Sequence, residues 1–211
     1  MNKWLEVLLD KYPDISECQE SIQQAINTLI STYQTGGKLL VCGNGGSAAD
    51  SDHIVGELMK GFMKKRPLSQ KEIEKFKNNF PETGQILAEN LQGGLPAISL
   101  TSQSALMTAY SNDVSPEMVF AQQVYAYGHN QDTLIGISTS GNSTNVVNAL
   151  KVASVQGLHT IGLTGNDGGE MKNICDTTII IPRTSTPEIQ ERHLPVYHTI
   201  CQAVEAAFFD K

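Results

Sequence analysis

The chain has 211 residues, of which 40% are hydrophobic and 18% charged, and its formal net charge is -7 at pH 7. These values are ordinary for a globular protein, and the length fits one domain, or one domain with an added helical arm. An acidic balance argues against a general nucleic-acid-binding surface, which would be basic, but it leaves room for a local pocket that binds a sugar phosphate.

The cysteine pattern and the N-terminal residues indicate the cellular compartment of the protein. Cys18, Cys42, Cys175 and Cys201 are scattered, without a CxxC pair or a zinc-finger spacing, which is typical of free thiols in a reducing compartment. Acidic Glu6 comes too early for a signal peptide, and no apolar run approaches the length of a membrane span. We therefore expect a cytoplasmic protein that has no membrane partner.

The first part of the chain predicts a helical arm over residues 1–35. A first apolar stretch ends at the break Pro13-Asp14. From Ile15 to Tyr33, apolar residues recur at steps of three and four, as in an amphipathic helix, and Gly36-Gly37 ends the pattern. The apolar stripe can face the core of its own chain or a sister subunit.

Strands and helices alternate after the arm, which is the pattern of a parallel sheet covered on both faces. Short apolar runs predict strands at residues 38–42, 97–100, 133–137, 159–164 and 177–181. Amphipathic patterns predict helices at residues 48–62, 104–110, 116–127, 145–156 and 187–209. In the last helix we expect Thr186 as the N-cap and a kink at Pro195. The chain is thus predicted to be one α/β domain, a three-layer α-β-α sandwich with a five-stranded, mainly parallel sheet.

One polar, charged passage interrupts this alternation, over residues 64–93. It begins with Lys64-Lys65-Arg66-Pro67, and Ser69 with Glu72 predicts a capping box that opens a short helix. Two interpretations stay open. The passage is either a solvated surface excursion or a lid beside the turn that precedes it.

The strongest functional signal is the stretch Gly136-Ile137-Ser138-Thr139-Ser140-Gly141-Asn142-Ser143, which joins a predicted strand to a predicted helix. The first N–H groups of a helix have no partner within the helix, and hydroxyl groups add donors without bulk. An ordinary polar turn needs one or two such residues, whereas this stretch has four. It therefore predicts a site for a phosphate ester.

A second turn, Cys42-Gly43-Asn44-Gly45-Gly46-Ser47, also joins a strand to a helix. It matches neither the Walker loop nor the dinucleotide-binding GxGxxG pattern. Alone it is weak evidence for a site. Together with the hydroxyl-rich turn it indicates that one turn holds a phosphate group and the other a sugar backbone.

Two helices carry candidate catalytic or metal-binding side chains. His53 and Glu57 are four residues apart and so share one helix face, a spacing that suits zinc or a base beside a metal, although a surface ion pair is the commoner meaning. The last helix carries further polar residues among apolar neighbours, namely Gln190, Glu191, His193 and His198. Gln190 and His198 can line one groove, while a lone helical histidine is more often a packing residue.

Taken together, these residues resemble the phosphoheptose isomerases, the sedoheptulose 7-phosphate isomerases of the SIS (sugar isomerase) domain superfamily. The resemblance extends over nearly the whole chain from Gly36. The segments that carry it are Cys42 to Ser47, His53 with Glu57, Asn112-Asp113, Gly136 to Ser143, Leu163 to Gly165 with Asp167-Gly168-Gly169, and Thr186 to Glu191 with His198.

The resemblance implies an SIS-type fold and a homotetramer with active sites shared between subunits. It implies one zinc ion per site at His53, Glu57, Gln190 and His198, with Glu57 and His198 as catalytic base and acid. It also implies a set of substrate-binding residues, namely Asn44, Gly45, Ser47, Asp113, Ser138, Thr139, Ser140, Ser143 and Gln190. The family interconverts sedoheptulose 7-phosphate and D-glycero-D-manno-heptose 7-phosphate, which feeds heptose into bacterial surface glycans.

The chemistry of that reaction agrees with the residue types. Moving a carbonyl between neighbouring carbons needs a base that takes a carbon-bound proton, and an acid or a metal that stabilises the enediolate oxygens. We hypothesise that Glu57 moves the proton between the two carbons while His198 serves the oxygens and zinc polarises the carbonyl.

Two departures from the family pattern bear on the substrate. Residues 64–93 contain about 25 residues more than a typical connecting loop, and Lys60-Gly61 stands where the family often has Gly-Arg. Two alternatives follow: an isomerase of another phosphosugar, or a non-catalytic SIS protein that binds a protein partner such as the replication initiator. Non-catalytic members tend to lose the metal and acid–base residues, so their presence here favours an enzyme.

Overall fold

Five parallel strands form a single sheet in the computed structural model, which describes residues 2–210. The strands are β1 Leu39–Gly43, β2 Ala97–Ser99, β3 Thr133–Ile137, β4 His159–Gly165 and β5 Thr177–Ile181. They lie side by side in the order β2-β1-β3-β4-β5, and every neighbouring pair is parallel. The predicted α/β class with a five-stranded sheet is confirmed.

Ten α-helices surround the sheet within the described residues. They are α1 Lys3–Lys11, α2 Gln19–Gln34, α3 Gly46–Met59, α4 Gln70–Asn79, α5 Gly84–Glu89, α6 Ser104–Asp113, α7 Val119–Tyr127, α8 Thr144–Val155, α9 Met171–Ile174 and α10 Thr186–Phe209. Short 3-10 helices precede α2 and α7, at Pro13–Cys18 and Pro116–Met118. None of the helices in residues 2–210 is long and apolar enough to cross a membrane.

Each face of the sheet has its own hydrophobic core. Alternate residues of β1 point to opposite sides, so that Leu39 and Val41 join the core with α1, α2, α3 and α10. Leu40 and Cys42 join the second core, under α7, α8 and α9. All five residues of β1 and of β3 are buried, as expected for strands covered on both faces. The four cysteines are free thiols.

The start of α10 corrects one prediction. Ser185, with extended backbone angles (φ -89°, ψ 137°), is the N-cap in place of Thr186, which is the first helical residue. The Ser185 hydroxyl donates to the Glu188 carboxylate at 2.5 Å. Thr186 therefore lies inside the helix by one position, and α10 continues through Pro195 to Phe209.

The strand order reverses direction between β1 and β3. The chain leaves β1 for β2 on one side and then crosses to β3 on the other side. In open parallel sheets a crevice forms outside the carboxyl ends of the strands at such a switch point, and ligands bind there. The two turns singled out from the sequence follow β1 and β3, so both open into this crevice.

Residues 64–93 form α4 and α5 on a narrow stem. The capping box is present, because the Ser69 side chain accepts from the Glu72 N–H while the Glu72 carboxylate accepts from the Ser69 N–H. An antiparallel bridge between Pro67 and Gln92 and a hydrogen bond from the Gly93 N–H to the Arg66 carbonyl (2.7 Å) close the stem. A lid function for this segment stays a prediction.

A buried ion pair anchors the stem. Arg66 and Glu205 of α10 are each about 1% exposed, and the Arg66 Nε donates to Glu205 Oε1 at 2.9 Å. The same guanidinium donates to the main-chain carbonyls of Leu58 (2.7 Å) and Glu57 (3.2 Å), which end α3. Arg66 therefore ties α10 to the last turn of α3.

The carboxylate of Glu205 is satisfied from its other side as well. It accepts from the N–H groups of Phe62 (2.8 Å) and Met63 (2.9 Å). Burial alone would raise the pKa of Glu205, but these hydrogen bonds and the Arg66 charge outweigh burial and hold the pKa below its ordinary value. Arg66 and Glu205 are therefore both charged in the folded protein.

We expect Glu205→Gln to lower the free energy of unfolding by about 3–5 kcal/mol, because Arg66 would remain buried without a counter-charge. Urea unfolding measures the loss. Glu170→Gln is the control, since the Lys151–Glu170 pair is about half exposed (51% and 49%) and its loss costs about 1 kcal/mol or less. Equal losses in the two variants would contradict a structural role for the buried pair.

Candidate functional site

Three serine hydroxyls converge where β3 ends. Ser138 Oγ lies 2.9 Å from Ser143 Oγ and 3.4 Å from Ser140 Oγ. Ser143 is the N-cap of α8, but its hydroxyl makes no capping hydrogen bond and stays with Ser138. The three hydroxyls therefore lie at the positive end of the α8 dipole, an arrangement suited to an anion.

A glycine-rich loop after β4 supports this hydroxyl-rich turn. Gly141 has φ +68°, and a Cβ there would lie 2.1 Å from the Gly168 carbonyl oxygen, so only glycine fits. The Asn142 side chain accepts from the Glu170 N–H at 2.9 Å. The loop thus fixes the conformation of the hydroxyl-rich turn, and this contact explains the glycines of the Asp167-Gly168-Gly169 segment.

The glycine turn after β1 meets α10. Gly45, with φ +56°, is the N-cap of α3. A Cβ at Gly46 would lie 2.7 Å from Gln190 Nε2, so the side chain of Gln190 lies directly against the turn. Ser47, in the first turn of α3, is buried. This turn therefore places main-chain groups and the Gln190 amide on the crevice.

An amide pair joins the two turns. The Asn44 side chain donates to Asn145 Oδ1 at 2.8 Å, and the Asn145 side chain donates back to Asn44 Oδ1 at 3.0 Å. Asn44 belongs to the glycine turn and Asn145 to the first turn of α8. The two turns are thereby held in register across the crevice.

Further along α3 lies the histidine–glutamate cluster, which consists of His53, Glu57 and His198. His53 Nε2 lies 3.1 Å from Glu57 Oε1 and 3.4 Å from His198 Nε2. Two helices, α3 and α10, thus bring together three residues that are separated by up to 145 positions in the chain. The side chain of His53 is 41% exposed and that of Glu57 13%, so the cluster is open to solvent.

Two more side chains stand behind His53. The Tyr197 hydroxyl lies 3.0 Å from His53 Nδ1 and donates to Asp50 Oδ1 at 3.1 Å. Burial raises the pKa of Asp50, and the hydrogen bond from Tyr197 offsets part of that shift. Tyr197 is buried, and its ring packs edge-on against both histidine rings of the cluster.

The histidines of α10 differ in their surroundings. Burial and the facing His53 ring lower the pKa of His198, while the Glu57 carboxylate offsets part of that shift. His198 is therefore neutral near pH 7 and able to take up or release a proton. His193 is fully buried and donates to the Thr164 carbonyl at 3.3 Å, and burial lowers its pKa to about 4. His193 is a packing residue between α10 and β4.

The donor set of the histidine–glutamate cluster suits zinc. Nitrogen and oxygen ligands about 2 Å from a tetrahedral zinc ion lie about 3.3 Å apart, which is close to the two separations from His53 Nε2. Within residues 2–210, however, no group of three or more His, Cys, Asp or Glu side chains meets the full geometry of a metal site. Gln190 makes no hydrogen bond to the cluster in the described part of the chain. The cluster therefore has the donor types that zinc prefers, but the described residues do not form a metal site.

Comparisons with known proteins decide the family. A family profile described as SIS domain matches residues 3–93 and 80–165. A phosphoheptose isomerase from Aliarcobacter butzleri is 44% identical over 191 residues, covering 90% of this chain and 87% of the relative, and one from Helicobacter pylori is 40% identical over 197 residues, covering 93% and 89%. The chain belongs to the phosphoheptose isomerase family of SIS-domain proteins.

Solved structures agree with this family assignment. A phosphoheptose isomerase from Francisella tularensis superposes with a TM-score of 0.75 at 30% identity, covering 96% of this chain and 95% of that chain. One from Neisseria gonorrhoeae gives a TM-score of 0.70 at 32% identity, covering 95% and 91%. The similarity to phosphoheptose isomerases thus extends over nearly the whole fold, including α10.

Two of the site residues predicted from the sequence make no side-chain contact with the rest of the candidate site through a hydrogen bond in residues 2–210. Asp113, at the end of α6, accepts from the Asn112 side chain (2.9 Å) and contacts neither turn through a hydrogen bond within residues 2–210. Thr139 is half-buried, and its carbonyl accepts from the Gly165 N–H at 3.1 Å. Their roles in substrate binding stay predictions.

The sequence analysis did not single out Tyr197, Asp50 or Asn145 as part of the site. A signal was present for Asp50, because it lies three residues before His53 and so shares its helix face. Tyr197 directly precedes His198, and Asn145 directly follows the hydroxyl-rich turn. In both cases, proximity to a candidate residue was the available clue.

We expect Ser138→Ala to weaken the binding of inorganic phosphate about tenfold, because one hydrogen bond to a charged ligand is lost from the hydroxyl-rich turn. Isothermal titration of the purified protein measures the affinity. Ser21→Ala is the control, since the Ser21 hydroxyl bonds only a main-chain carbonyl of the arm. Unchanged phosphate affinity in Ser138→Ala would place the anion elsewhere.

Proposed function

We propose that the protein is a phosphosugar isomerase that interconverts sedoheptulose 7-phosphate and D-glycero-D-manno-heptose 7-phosphate. The observation that supports this proposal is that, in a chain of the phosphoheptose isomerase family, the hydroxyl-rich turn faces the glycine turn, and the helix that starts in the glycine turn carries His53 and Glu57 of the histidine–glutamate cluster. Such a product would feed heptose into surface glycans, and we expect the reaction to take place in the cytoplasm.

The layout of α3 supports a substrate of this length. The helix begins in the glycine turn, and His53 lies seven residues after Gly46, which is about 10 Å along the helix axis. A seven-carbon chain with its phosphate at the far end spans such a distance. The phosphate would bind Ser47, Ser138, Thr139, Ser140 and Ser143, while Asn44, Gly45, Asp113 and Gln190 would contact the sugar.

The acid–base steps follow from the positions of Glu57 and His198. Glu57, as the base, takes the proton from the carbon beside the carbonyl and returns it to the neighbouring carbon. His198, neutral at the start, moves a proton between the two oxygens of the enediolate. Both groups lie within contact of His53, so one face of the substrate would meet both.

We also propose one zinc ion per site, held by His53, Glu57, Gln190 and His198. When bound, zinc supplies a positive charge that stabilises the oxygens of the substrate as negative charge develops. A carboxylate that binds zinc tightly is a weaker base, so Glu57 would serve best as a weak or transient ligand. The nitrogen and oxygen donors of the histidine–glutamate cluster, which are ligand types that zinc prefers, support this assignment.

We expect Glu57→Gln to lower turnover of sedoheptulose 7-phosphate by about 10²-fold or more, because the amide cannot take a proton from carbon. Turnover is measured on protein that has been chelated and then resupplied with zinc, by following aldose formation. Glu74→Gln, on the exposed α4, is the matched control. Near-normal turnover in Glu57→Gln would contradict the role of this residue.

We further propose a homotetramer in which α1 and α10 pack against other subunits. A groove of about 360 Å³ runs between these helices, and Trp4, Leu8 and His198 are among the residues that line it. Val7 (62% exposed) and Leu194 (41% exposed) lie on the same surface. Apolar side chains beside a candidate active site suit an interface that completes that site.

We expect Val7→Glu to shift the assembly towards smaller species in light scattering at micromolar concentration and to lower turnover at the same time, because a charge would be buried in the interface. Gln70→Glu, on the exposed start of α4, is the control. A wild-type protein that is monomeric under these conditions would contradict the shared-site arrangement.

A further inference from the structure

The end of α3 is held by a side chain from another part of the chain. The last carbonyl groups of a helix have no partner within the helix, and the residue after α3, Lys60, is extended (φ -135°, ψ 175°), so the chain leaves α3 without a further turn. The Arg66 guanidinium donates to the carbonyls of Leu58 (2.7 Å) and Glu57 (3.2 Å). Its positive charge also lies at the negative end of the helix dipole. Arg66 therefore caps the C-terminus of α3.

Arg66 is itself fixed in place. It is 2% exposed, its Nε donates to Glu205 Oε1 at 2.9 Å, and its guanidinium lies 4.5 Å from the centre of the Phe209 ring. The Glu205 carboxylate in turn accepts from two main-chain N–H groups of the segment after α3. A guanidinium presents several donors in one rigid plane, so Arg66 can meet Glu205 and both carbonyls at once. The end of α3 is thus attached to α10.

The side-chain contacts of Glu57 do not provide such an attachment. Among the described residues, its carboxylate meets His53 Nε2 at 3.1 Å and Lys60 Nζ at 3.5 Å. Both partners lie on α3 or directly after it, and their side chains are 41% and 59% exposed. Contacts within one helix move with that helix, so they cannot fix Glu57 relative to α10. Packing of Leu58 in the core holds the inner face of α3, and Arg66 adds a direct bond to the main chain of Glu57.

We propose that Arg66, held by Glu205, is a positioning residue for Glu57. It fixes the main chain of the last turn of α3 and thereby the distance between the Glu57 carboxylate and the carbon from which this base takes a proton. Misplacing a reacting group by about 1 Å can lower a rate about 10²-fold. Arg66 and Glu205 are buried away from the substrate, so both act through Glu57. The catalytic part rests on the proposed function, whereas the attachment of α3 does not.

The first test uses Arg66→Lys, in which the ammonium keeps the charge opposite Glu205 but has no planar fork that reaches both carbonyls. We expect kcat for sedoheptulose 7-phosphate to fall about 10-fold or more, with KM changed less than about twofold. KM is preserved because the glycine turn, which would contact the sugar, lies at the other end of α3. Turnover is measured at a temperature at which urea unfolding shows every variant to be folded.

Asp132→Asn is the matched control, because it weakens another buried ion pair far from Glu57. Asp132 is 2% exposed, accepts from the N–H groups of Lys38 (2.8 Å) and His129 (2.9 Å), and pairs with the Lys38 ammonium. It directly precedes β3, at the opposite edge of the sheet from the crevice. We expect this variant to lose stability and to keep both kcat and KM, which separates a loss of stability from a misplaced Glu57.

The second test is hydrogen–deuterium exchange of the metal-free, full-length protein, followed by mass spectrometry of peptides that cover residues 55–63. We expect exchange in this segment to be about 10-fold faster in Arg66→Lys than in the wild type, and unchanged in Asp132→Asn. If Arg66→Lys does not fold, Glu205→Asp replaces it in both tests, because it keeps both charges and withdraws the carboxylate by one methylene group.

The outcomes separate this proposal from the proposed function. With an active wild type, the positioning role stands only if kcat falls and exchange rises in Arg66→Lys while neither changes in Asp132→Asn, and any other result overturns it. If the wild type does not isomerise sedoheptulose 7-phosphate, the proposed function fails, and the exchange data alone decide whether Arg66 attaches the end of α3 to α10.

Discussion

The adjacency of β1 and β3 is the constraint on which the site depends. Both strands end at the same edge of the sheet, and the chain leaves them in opposite directions. The glycine turn and the hydroxyl-rich turn must therefore face each other across one crevice. Main-chain N–H groups, serine hydroxyls and the Asn44–Asn145 amide pair meet there because parallel pairing aligns the strand ends.

The long helix α10 supplies what the sheet edge lacks. Its first turns bring Gln190 to the glycine turn, its middle brings Tyr197 and His198 to His53, and its last turns bring Glu205 to Arg66. One rigid element thus spans the crevice, the cluster and the stem of residues 64–93. The same helix therefore carries residues of the candidate site and one partner of the buried ion pair.

Much of this architecture is predictable from the sequence, because it depends on residues that are close to one another in the chain. The strands at 133–137 and 177–181 coincide with the predicted runs, because β3 is buried throughout, β5 is buried at alternate residues, and both are rich in apolar side chains. The capping box at Ser69 is equally local. The short helices α5 and α9, of six and four residues, have too few turns for a periodic pattern and were missed. The arm's second helix starts at Gln19 because the backbone at Ile15 is not helical.

What the sequence did not reveal depends on distant partners. Arg66 lies in a passage whose charge pattern indicates solvent exposure, yet it is buried because Glu205, 139 residues later, neutralises it. Tyr197 reads as a core residue of an amphipathic helix until Asp50 and His53 of α3 are placed beside its hydroxyl. In both cases the decisive contact joins α10 to the region of α3.

The close approach of Gly141 to Gly168 has a consequence for how such a site can change. A Cβ at Gly141 would meet the main chain of Gly168, and a Cβ at Gly168, which has a positive φ of +90°, would meet the side chains of Ile180 and Lys172. A new specificity at the phosphate end therefore cannot arise by single replacements at this contact. It has to come from the far end of the crevice, where side chains rather than main chain form the wall.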